Sequence, residues 1–286
     1  MIVPAVPAGR RRLGDRVMTA FTFVAVLIAL VPLFSVLIYV ILQGASALNW
    51  DFFTQLPKPV GETGGGMANA IVGTLTLIGL ASCIGLPIGI LGGVYLAELG
   101  DGPLGAWIRF TADVLNGVPS IVVGVFVYAL IVVPMHRFSA FAGGAALGIM
   151  MIPLVMRTTE ELVRLVPNSL REASLALGIP WWVTTLRIVL RTATVGVITG
   201  VVLAIARIGG ETAPLLFTAF NNQYWQTRLD QPIASLTVQL YNYAIAPYDD
   251  WHRQAWAAAL VLMSITLILN IAARLVGRQR FAKARR

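Results

Sequence analysis

The chain has 286 residues, of which 57% are hydrophobic and only 12% are charged, and its formal net charge is +8. Soluble domains carry about 25% charged residues, so this composition excludes disordered, collagen-like and coiled-coil chains and argues against soluble domains. The remaining class is an all-α, polytopic membrane protein built as a helical bundle. With a single cysteine, Cys83, and two distant histidines, we expect neither an intrachain disulfide nor a metal or other cofactor.

Six apolar segments are long enough to cross a bilayer, which requires roughly 20 residues of helix. In chain order they are residues 17–42, 67–97, 114–135, 138–156, 192–220 and 255–273. The first apolar run is far longer than the core of a cleaved signal peptide, so it predicts an uncleaved anchor. These segments form one transmembrane domain over residues 17–277, between an N-terminal tail (residues 1–16) and a basic C-terminal tail (residues 278–286).

The basic residues indicate the orientation of these six spans. With the N-terminus inside, 16 of the 21 Lys and Arg residues fall in inner segments and four in outer segments, while Arg207 lies within a span. Cytoplasmic loops of membrane proteins hold the excess of positive charge. Both termini are therefore expected in the cytoplasm, with the chain in the inner membrane, and the basic excess does not indicate a nucleic-acid partner.

The sequence offers no catalytic motif. A Walker motif needs a lysine that follows a glycine, whereas Lys58 lies between two prolines and Lys283 between two alanines. The histidines His136 and His252 lie in short outer loops, which does not suit a Ser/His/Asp site. We expect a non-catalytic membrane subunit.

The inner segment, residues 157–191, contains signals for two short helices rather than a loop. Ser169 and Glu172 have capping-box spacing, Gly178 is a natural C-terminal breaker, and Pro180 suits the first turn of a second helix. The predicted structure is a bent helical knob. The alternative is an interfacial helix that lies on the lipid headgroups.

Glu172 and Ala173, with Gly178 six residues after the glutamate, resemble the EAA loop of ABC-importer permeases. The resemblance implies that this knob seats in a groove of an ATPase subunit and transmits its motion, so Glu172, Ala173 and Gly178 are the expected coupling residues. Ile188 and Leu190 also match the apolar pair of the family pattern. Two residues depart from that pattern: Ser174 stands where the family has an alanine, and Arg191 where it usually has a proline.

Four other stretches resemble the PstA-type permease of the bacterial phosphate ABC importer. They are residues 64–74, 116–122, 210–215 and 235–243. The resemblance implies a type I importer (MetI-like) permease fold. It also implies phosphate as cargo and, as partners, a homologous second permease, two ATPase subunits and an external phosphate-binding protein.

The outer loop, residues 221–254, contains a helical pattern of its own. Ile233, Leu236, Leu240 and Tyr243 fall on one helical face. Such a helix can simply lie on the outer membrane surface. The resemblance instead implies a cap over the outer mouth, near the docking site of the binding protein.

Arg207 and Glu211 are four residues apart, so a continuous helix would place them on one face in the outer half of the bilayer. Charged groups at such depth usually face a bundle interior and are paired. The planar guanidinium of Arg207 suits an oxyanion, whereas a static ion pair that locks the span is the alternative. The residues assigned to the substrate pathway are Arg207, Gly210, Glu211 and Thr212, and those assigned to gating or kinks are Pro119 and Pro214.

Three rival functions stay open at this point. The cargo can be another oxyanion or a phosphonate, because Arg207 and Glu211 do not exclude these anions. An ion-coupled secondary transporter would use the same two residues as a proton relay, although we find no convincing internal repeat of the kind typical of that class. A structural membrane anchor would leave both charges unexplained.

Overall fold

A computed structural model describes residues 8–62 and 64–283 of the chain. Throughout these ranges the regular secondary structure is helical, which confirms the all-α prediction. The α-helices are α1 (Ala8–Ala45), α2 (Trp50–Thr54), α3 (Ala68–Leu99), α4 (Pro103–Gly117), α5 (Ser120–Val127), α6 (Val133–Met135), α7 (Ala140–Arg164), α8 (Asn168–Ala176), α9 (Trp181–Val183), α10 (Leu190–Gly209), α11 (Ala213–Thr218), α12 (Leu236–Ala244) and α13 (Asp249–Lys283). Residues 1–7 of the predicted N-terminal tail and residues 284–286 of the C-terminal tail lie outside the described ranges.

Five helices in the described ranges are long and apolar enough to cross a membrane, and a sixth span results if one bent helix pair is counted as a unit. The bent pair is Pro103–Gly117 with Ser120–Met135, whose axes differ by 102°. Residues 114–135, predicted as the third span, are therefore not one continuous helix. Pro119 causes the break, because a proline disfavours helical geometry at the preceding residue and Val118 adopts φ −70°, ψ 130°.

The fifth predicted span, residues 192–220, differs from the structure at both ends. A continuous helix runs over Trp181–Gly209 and includes a π-helical segment, Thr184–Val189. Residues 181–209 contain no proline, so no helix breaker of that kind separates the second arm of the knob from the span. The helix then ends at Gly209, and α11 begins only at Ala213.

The centre of the bundle is the close packing of α3 against α7. A Cβ atom added at Gly89 would lie 2.8 Å from the Cβ of Val155, and one added at Gly93 would lie 2.5 Å from the carbonyl oxygen of Met156. Glycine is required at these positions because the two helix backbones approach so closely. The α3–α7 pair is a tightly packed unit against which α10 and α11 complete the core.

The two ends of the bundle carry different elements. One end carries the bent helical segment of residues 168–189, which we call the knob, and we call this the knob end. At the opposite, α12 end, the backbone N–H of Leu236 donates to Thr74 Oγ1 on α3 at 2.8 Å. Ile233, Leu236 and Tyr243 are buried in the protein, so the apolar face predicted for this segment packs on the bundle rather than on a membrane surface.

Candidate functional site

The knob is the bent pair of helices that the sequence predicted. Helix α8 ends in a Schellman motif, in which the N–H of Gly178 donates to the carbonyl of Leu175 at 2.9 Å and the N–H of Ile179 donates to that of Ser174 at 3.3 Å. Gly178 has φ +75°, a left-handed conformation that favours glycine. The hydroxyls of Ser174 and Thr184, 2.7 Å apart, join the two arms.

The predicted capping box at the start of α8 is wrong. The helix begins at Asn168 behind Pro167, which takes the N-cap position, so Ser169 lies inside the first turn. The N-cap is therefore Pro167, two residues before Ser169, which the box requires as N-cap. Throughout the described ranges the exposed carboxylate of Glu172 has no hydrogen-bond or ion-pair partner. Glu172 and Ala173 are both exposed on the knob.

Arg171 attaches the knob to the ends of two long helices. Its Nη2 lies 2.6 Å from Glu98 Oε1 and its Nε 3.1 Å from the same oxygen, close to the last residue of α3. The guanidinium also donates to the carbonyls of Val163 at 3.1 Å and Val166 at 2.5 Å, at the end of α7. The Glu98 side chain is 5% exposed and that of Arg171 18%. This ion pair was not predicted from the sequence.

A second ionic cluster at the knob end centres on Glu160. Its carboxylate, 3% exposed, lies 2.6 Å from Arg109, 2.7 Å from Arg157 and 3.2 Å from Arg164. Arg109 also donates to the carbonyls of Leu96 and Gly100, each at 2.8 Å, and so satisfies the C-terminus of α3. The cluster binds α4 to the α3–α7 pair. Arg157 and Arg164 stand at helical i−3 and i+4 spacing from Glu160, a signal that the sequence does contain.

The structure places Arg207 and Glu211 differently from the prediction. Gly209 ends α10 and Gly210 is its C-cap, so Glu211 and Thr212 lie in the non-helical connection to α11. Because no continuous helix joins them, Arg207 and Glu211 do not share a face, and neither side chain has an ion pair or hydrogen bond within residues 8–62 and 64–283. Arg207 is exposed and Glu211 half-buried. The predicted ion pair is wrong, because the helix is interrupted at Gly209 and Gly210.

The two prolines predicted to act in gating lie at two helix breaks, and the helices that follow these breaks, α5 and α11, contact each other. Pro119 starts α5 after the bend, and Pro214 lies in the first turn of α11. A Cβ added at Gly124 would lie 2.6 Å from the Cα of Pro214, so the backbones of α5 and α11 touch.

At the α12 end, Asp230 connects two loops. Arg228 donates to Asp230 at 3.0 Å and 3.1 Å, and Arg137, in the loop before α7, lies 3.1 Å from the same carboxylate. The hydrogen bonds from Arg228 lower the pKa of Asp230 below its ordinary value against an opposing effect of burial, and the charges of Arg228 and Arg137 add to the lowering. The backbone N–H of Ala140 donates to the backbone carbonyl of Gln231 at 3.0 Å, next in the chain to Asp230.

Comparison with known proteins gives the family. Residues 85–281 match the family described as "Binding-protein-dependent transport system inner membrane component". The phosphate transport system permease protein PstA of Yersinia pestis is 44% identical over 270 residues, which cover 93% of this chain and 90% of that protein. The chain belongs to this permease family. PstA of Haemophilus influenzae is also 44% identical, over 93% of this chain and 94% of its own length, and PstA 1 of Mycobacterium tuberculosis strain H37Rv is 38% identical over 97% and 91%.

Solved structures share the permease fold. An inward-facing structure of the MetNI methionine ABC transporter matches with a TM-score of 0.59 at 17% identity, over 74% of this chain and 92% of that chain. An amino acid ABC transporter crystallised with histidines matches with a TM-score of 0.55 at 19% identity, over 73% and 92%. The permease is therefore a multi-pass inner-membrane protein of the MetI-like type, and the resemblance noted in its sequence is confirmed.

Proposed function

We propose that this permease is the membrane subunit of an ATP-driven phosphate importer and forms half of its translocation pathway. The observation that carries the proposal is the near full-length match to phosphate transport permeases, 44% identical over 93% of the chain. The matched length includes the knob and both broken helices. Cargo recognition would then reside in the bundle, and ATP hydrolysis in a partner subunit.

The knob has the surface that an ATPase partner requires. Leu177 is 80% exposed and Trp182 60% exposed, and the knob also carries the exposed carboxylate of Glu172. Exposed aromatic side chains of this kind are enriched in protein interfaces. We assign Glu172, Ala173 and Gly178 to the contact with an ATPase subunit, one ATPase for this permease and one for its homologous partner.

The orientation follows from this assignment and from the charge bias. The knob end carries Arg109, Arg157, Arg164 and Arg171, and positive charge marks the cytoplasmic side. The knob and both termini would face the cytoplasm. The α12 end would then face outward, where the packed helix α12 forms a cap on which an external phosphate-binding protein can dock.

We assign the contact with the anion to Arg207, and the reason is its exposure on this subunit. An ionised side chain facing lipid at the centre of a span costs roughly 2.5–3.5 kcal/mol, yet Arg207 is exposed on this subunit. We therefore place it at the interface with the homologous permease, where the two chains enclose the pathway. Because no carboxylate among the described residues pairs with it, its guanidinium is available to phosphate. Gly210, Glu211 and Thr212 would line the same pathway.

Gating is assigned to the two helix breaks. Because Gly124 and Pro214 bring α5 and α11 into backbone contact, a change of angle at Pro119 would shift the segment that carries Glu211 and Thr212. Discontinuous helices beside a central substrate site are typical of transporters. The pathway would open and close by this paired movement.

Uptake into liposomes tests the proposal. The purified assembly of both permeases, the ATPase and the binding protein is expected to accumulate radiolabelled phosphate only when ATP is present on the knob side. An assembly from which this chain is omitted is the control. Uptake displaced better by sulfate or a phosphonate than by phosphate would contradict the assigned cargo, and uptake driven by an ion gradient without ATP would contradict the mechanism.

A further inference from the structure

We propose that the ion pair between Arg171 and Glu98 is the connection through which movement of the knob reaches α3. This inference rests on the proposed function, because it concerns how ATPase movement is used. Both residues are positioning residues: neither touches phosphate or ATP. The EAA-like positions would contact the ATPase, and Arg171 would pass the displacement to the bundle.

The attachment of α8 explains why such a connection is needed. In the chain, α8 is continuous with α7 through residues 165–167 and with α10 through the Gly178 turn, but 73 residues separate Arg171 from Glu98 on α3. A connection to α3 must therefore come from side chains. Among the described residues, the ion pairs made by α8 are those of Arg171 with Glu98.

The geometry of the pair suits transmission of force. Two nitrogens of one planar guanidinium bind the same carboxylate, and the remaining donors bind the carbonyls of Val163 and Val166 and the side-chain oxygen of Asn168. Bidentate, charge-assisted hydrogen bonds fix angle as well as distance. Because Glu98 is 5% exposed, the pair is largely shielded from water, and rotation of α8 would carry the end of α3 with it.

The receiving element is stiff enough to carry this displacement along its length. The glycine contacts of α3 with α7, at Gly85, Gly89 and Gly93, leave no space for relative sliding. Close-packed interiors transmit strain because they have few voids. A displacement at Glu98 would therefore move α3 and α7 together, against α10 and the broken helices that carry Arg207 and Glu211.

The pair differs from its neighbour, the Glu160 cluster. Arg109, Arg157 and Arg164 lie on α4 and α7, so they hold the bundle together without involving the knob. Removing Glu98 leaves Arg171 with its two carbonyl acceptors, which limits the cost to folding. Transmission and folding can thus be separated by experiment.

The test compares Glu98→Gln and Arg171→Lys with wild type in the purified assembly, and Glu161→Gln serves as the matched control. Glu161 is an exposed glutamate of α7 at the same end of the bundle. The glutamine keeps the shape of Glu98 but not its charge, and lysine keeps the charge of Arg171 but not the planar fork. Phosphate moved per ATP hydrolysed is measured for each recovered assembly, together with complex recovery.

We expect both variants to assemble, to retain basal ATPase activity and to lose roughly tenfold in phosphate moved per ATP, which is the scale on which single residues change coupling. Glu161→Gln is expected to match wild type. Unchanged transport per ATP in Glu98→Gln would overturn the inference. So would recovery of almost no complex in both variants, because the pair would then be a folding element.

A measurement without cargo separates this inference from the proposed function. Spin labels at Ser169→Cys on α8 and Leu99→Cys on α3, with Cys83→Ser to remove the native thiol, report the distance between knob and α3. We expect one narrow distance distribution in ATP-free and nucleotide-trapped assemblies, and a broad one once Glu98→Gln is added. A distance that changes between the states without that substitution would overturn the connection, even where phosphate uptake is normal.

Discussion

Arg109 and Glu160, 51 residues apart in sequence, form an ion pair of 2.6 Å that joins α4 to α7. Glu160 also pairs with Arg157 and Arg164, whose further partners are the more exposed Asp113 and Asp101. Three guanidinium groups therefore share one carboxylate that is 3% exposed. The same Arg109 satisfies the carbonyls at the end of α3. One buried glutamate thus holds three helix ends together beside the knob.

Replacing Glu160 is expected to destabilise the bundle. Breaking a fully buried ion pair costs about 3–5 kcal/mol, and we expect the lower half of that range for Glu160→Gln because its arginines are partly exposed. The midpoint of thermal unfolding of the purified permease measures the effect, with Glu161→Gln as the control. Equal midpoints for the two variants would contradict the role given to Glu160.

The Gly178 turn predicts a graded series of variants. Gly178 has φ +75° and nothing within 4 Å of an added Cβ, so a substitution is opposed by backbone conformation and not by crowding. Gly178→Val is expected to stay in the membrane but to lose association with the ATPase, because a strained residue costs of order 1–3 kcal/mol. Gly178→Asn should be milder, since asparagine tolerates the left-handed region.

Co-purification of the ATPase with the permease measures this series. The matched control is Gly102→Val, at an exposed glycine with equally open surroundings and an ordinary φ of −87°. Recovery of the ATPase should follow the order wild type, asparagine, valine. If Gly102→Val and Gly178→Val lose the ATPase equally, the turn is not what positions the coupling surface.

The stability that the Asp230 ion pair contributes is expected to depend on pH. Because its pKa is lowered in the folded chain, its contribution to stability is complete above the ordinary carboxyl pKa of about 4. The contribution is lost as the pH falls through the lowered pKa. Hydrogen exchange of the Ala140 amide, corrected for intrinsic rate, should be constant from neutral pH to about pH 5 and should increase in stronger acid.

Asp230→Asn should increase the hydrogen-exchange rate of the Ala140 amide at neutral pH, since it removes the charge that binds Arg137 and Arg228. Glu62→Gln, at an exposed glutamate, is the control and should leave the exchange rate unchanged. Protection that persists in Asp230→Asn would mean that backbone hydrogen bonds alone hold the two loops together.

The proposed orientation is testable with single cysteines in a Cys83→Ser background. Val60→Cys, near Lys58, and Leu229→Cys, beside Asp230, should react with a membrane-impermeant maleimide in intact spheroplasts. Leu165→Cys should react only after the membrane is opened. All three positions are exposed on the protein, with Leu165 at 77%, so a difference in labelling reports the side of the membrane. External labelling of Leu165→Cys would reverse the topology and remove the knob from the cytoplasm.

Local features of this fold could be predicted from the sequence because their causes are local. Long apolar runs specify the helices, and Gly178 specifies the turn of the knob. The errors were local as well. Helix α8 begins after Pro167 and not after Ser169. The pairing of Arg207 with Glu211 assumed a continuous helix, but the helix ends at Gly209.

The ion pairs at the knob end could not be predicted in the same way. Glu98 and Arg171 meet only because α3 and α7 pack side by side and end at the same height. Nothing in the spacing of these two residues specifies that contact, and the same holds for Arg109 with Glu160. The sequence therefore predicts which elements form, whereas the connections between the elements require the fold.

The most direct test of the account is ATP-driven phosphate uptake by the assembly that carries Arg207→Gln. Because Arg207 has no ion-pair partner in the described part of the chain, this substitution leaves no unpaired buried charge, and normal assembly is expected. We predict that the variant complex is recovered in full, hydrolyses ATP and accumulates no phosphate, while Arg253→Gln, at an exposed arginine of the α12 end, transports like wild type. Phosphate uptake by Arg207→Gln at the wild-type rate would contradict the placement of Arg207 in the translocation pathway.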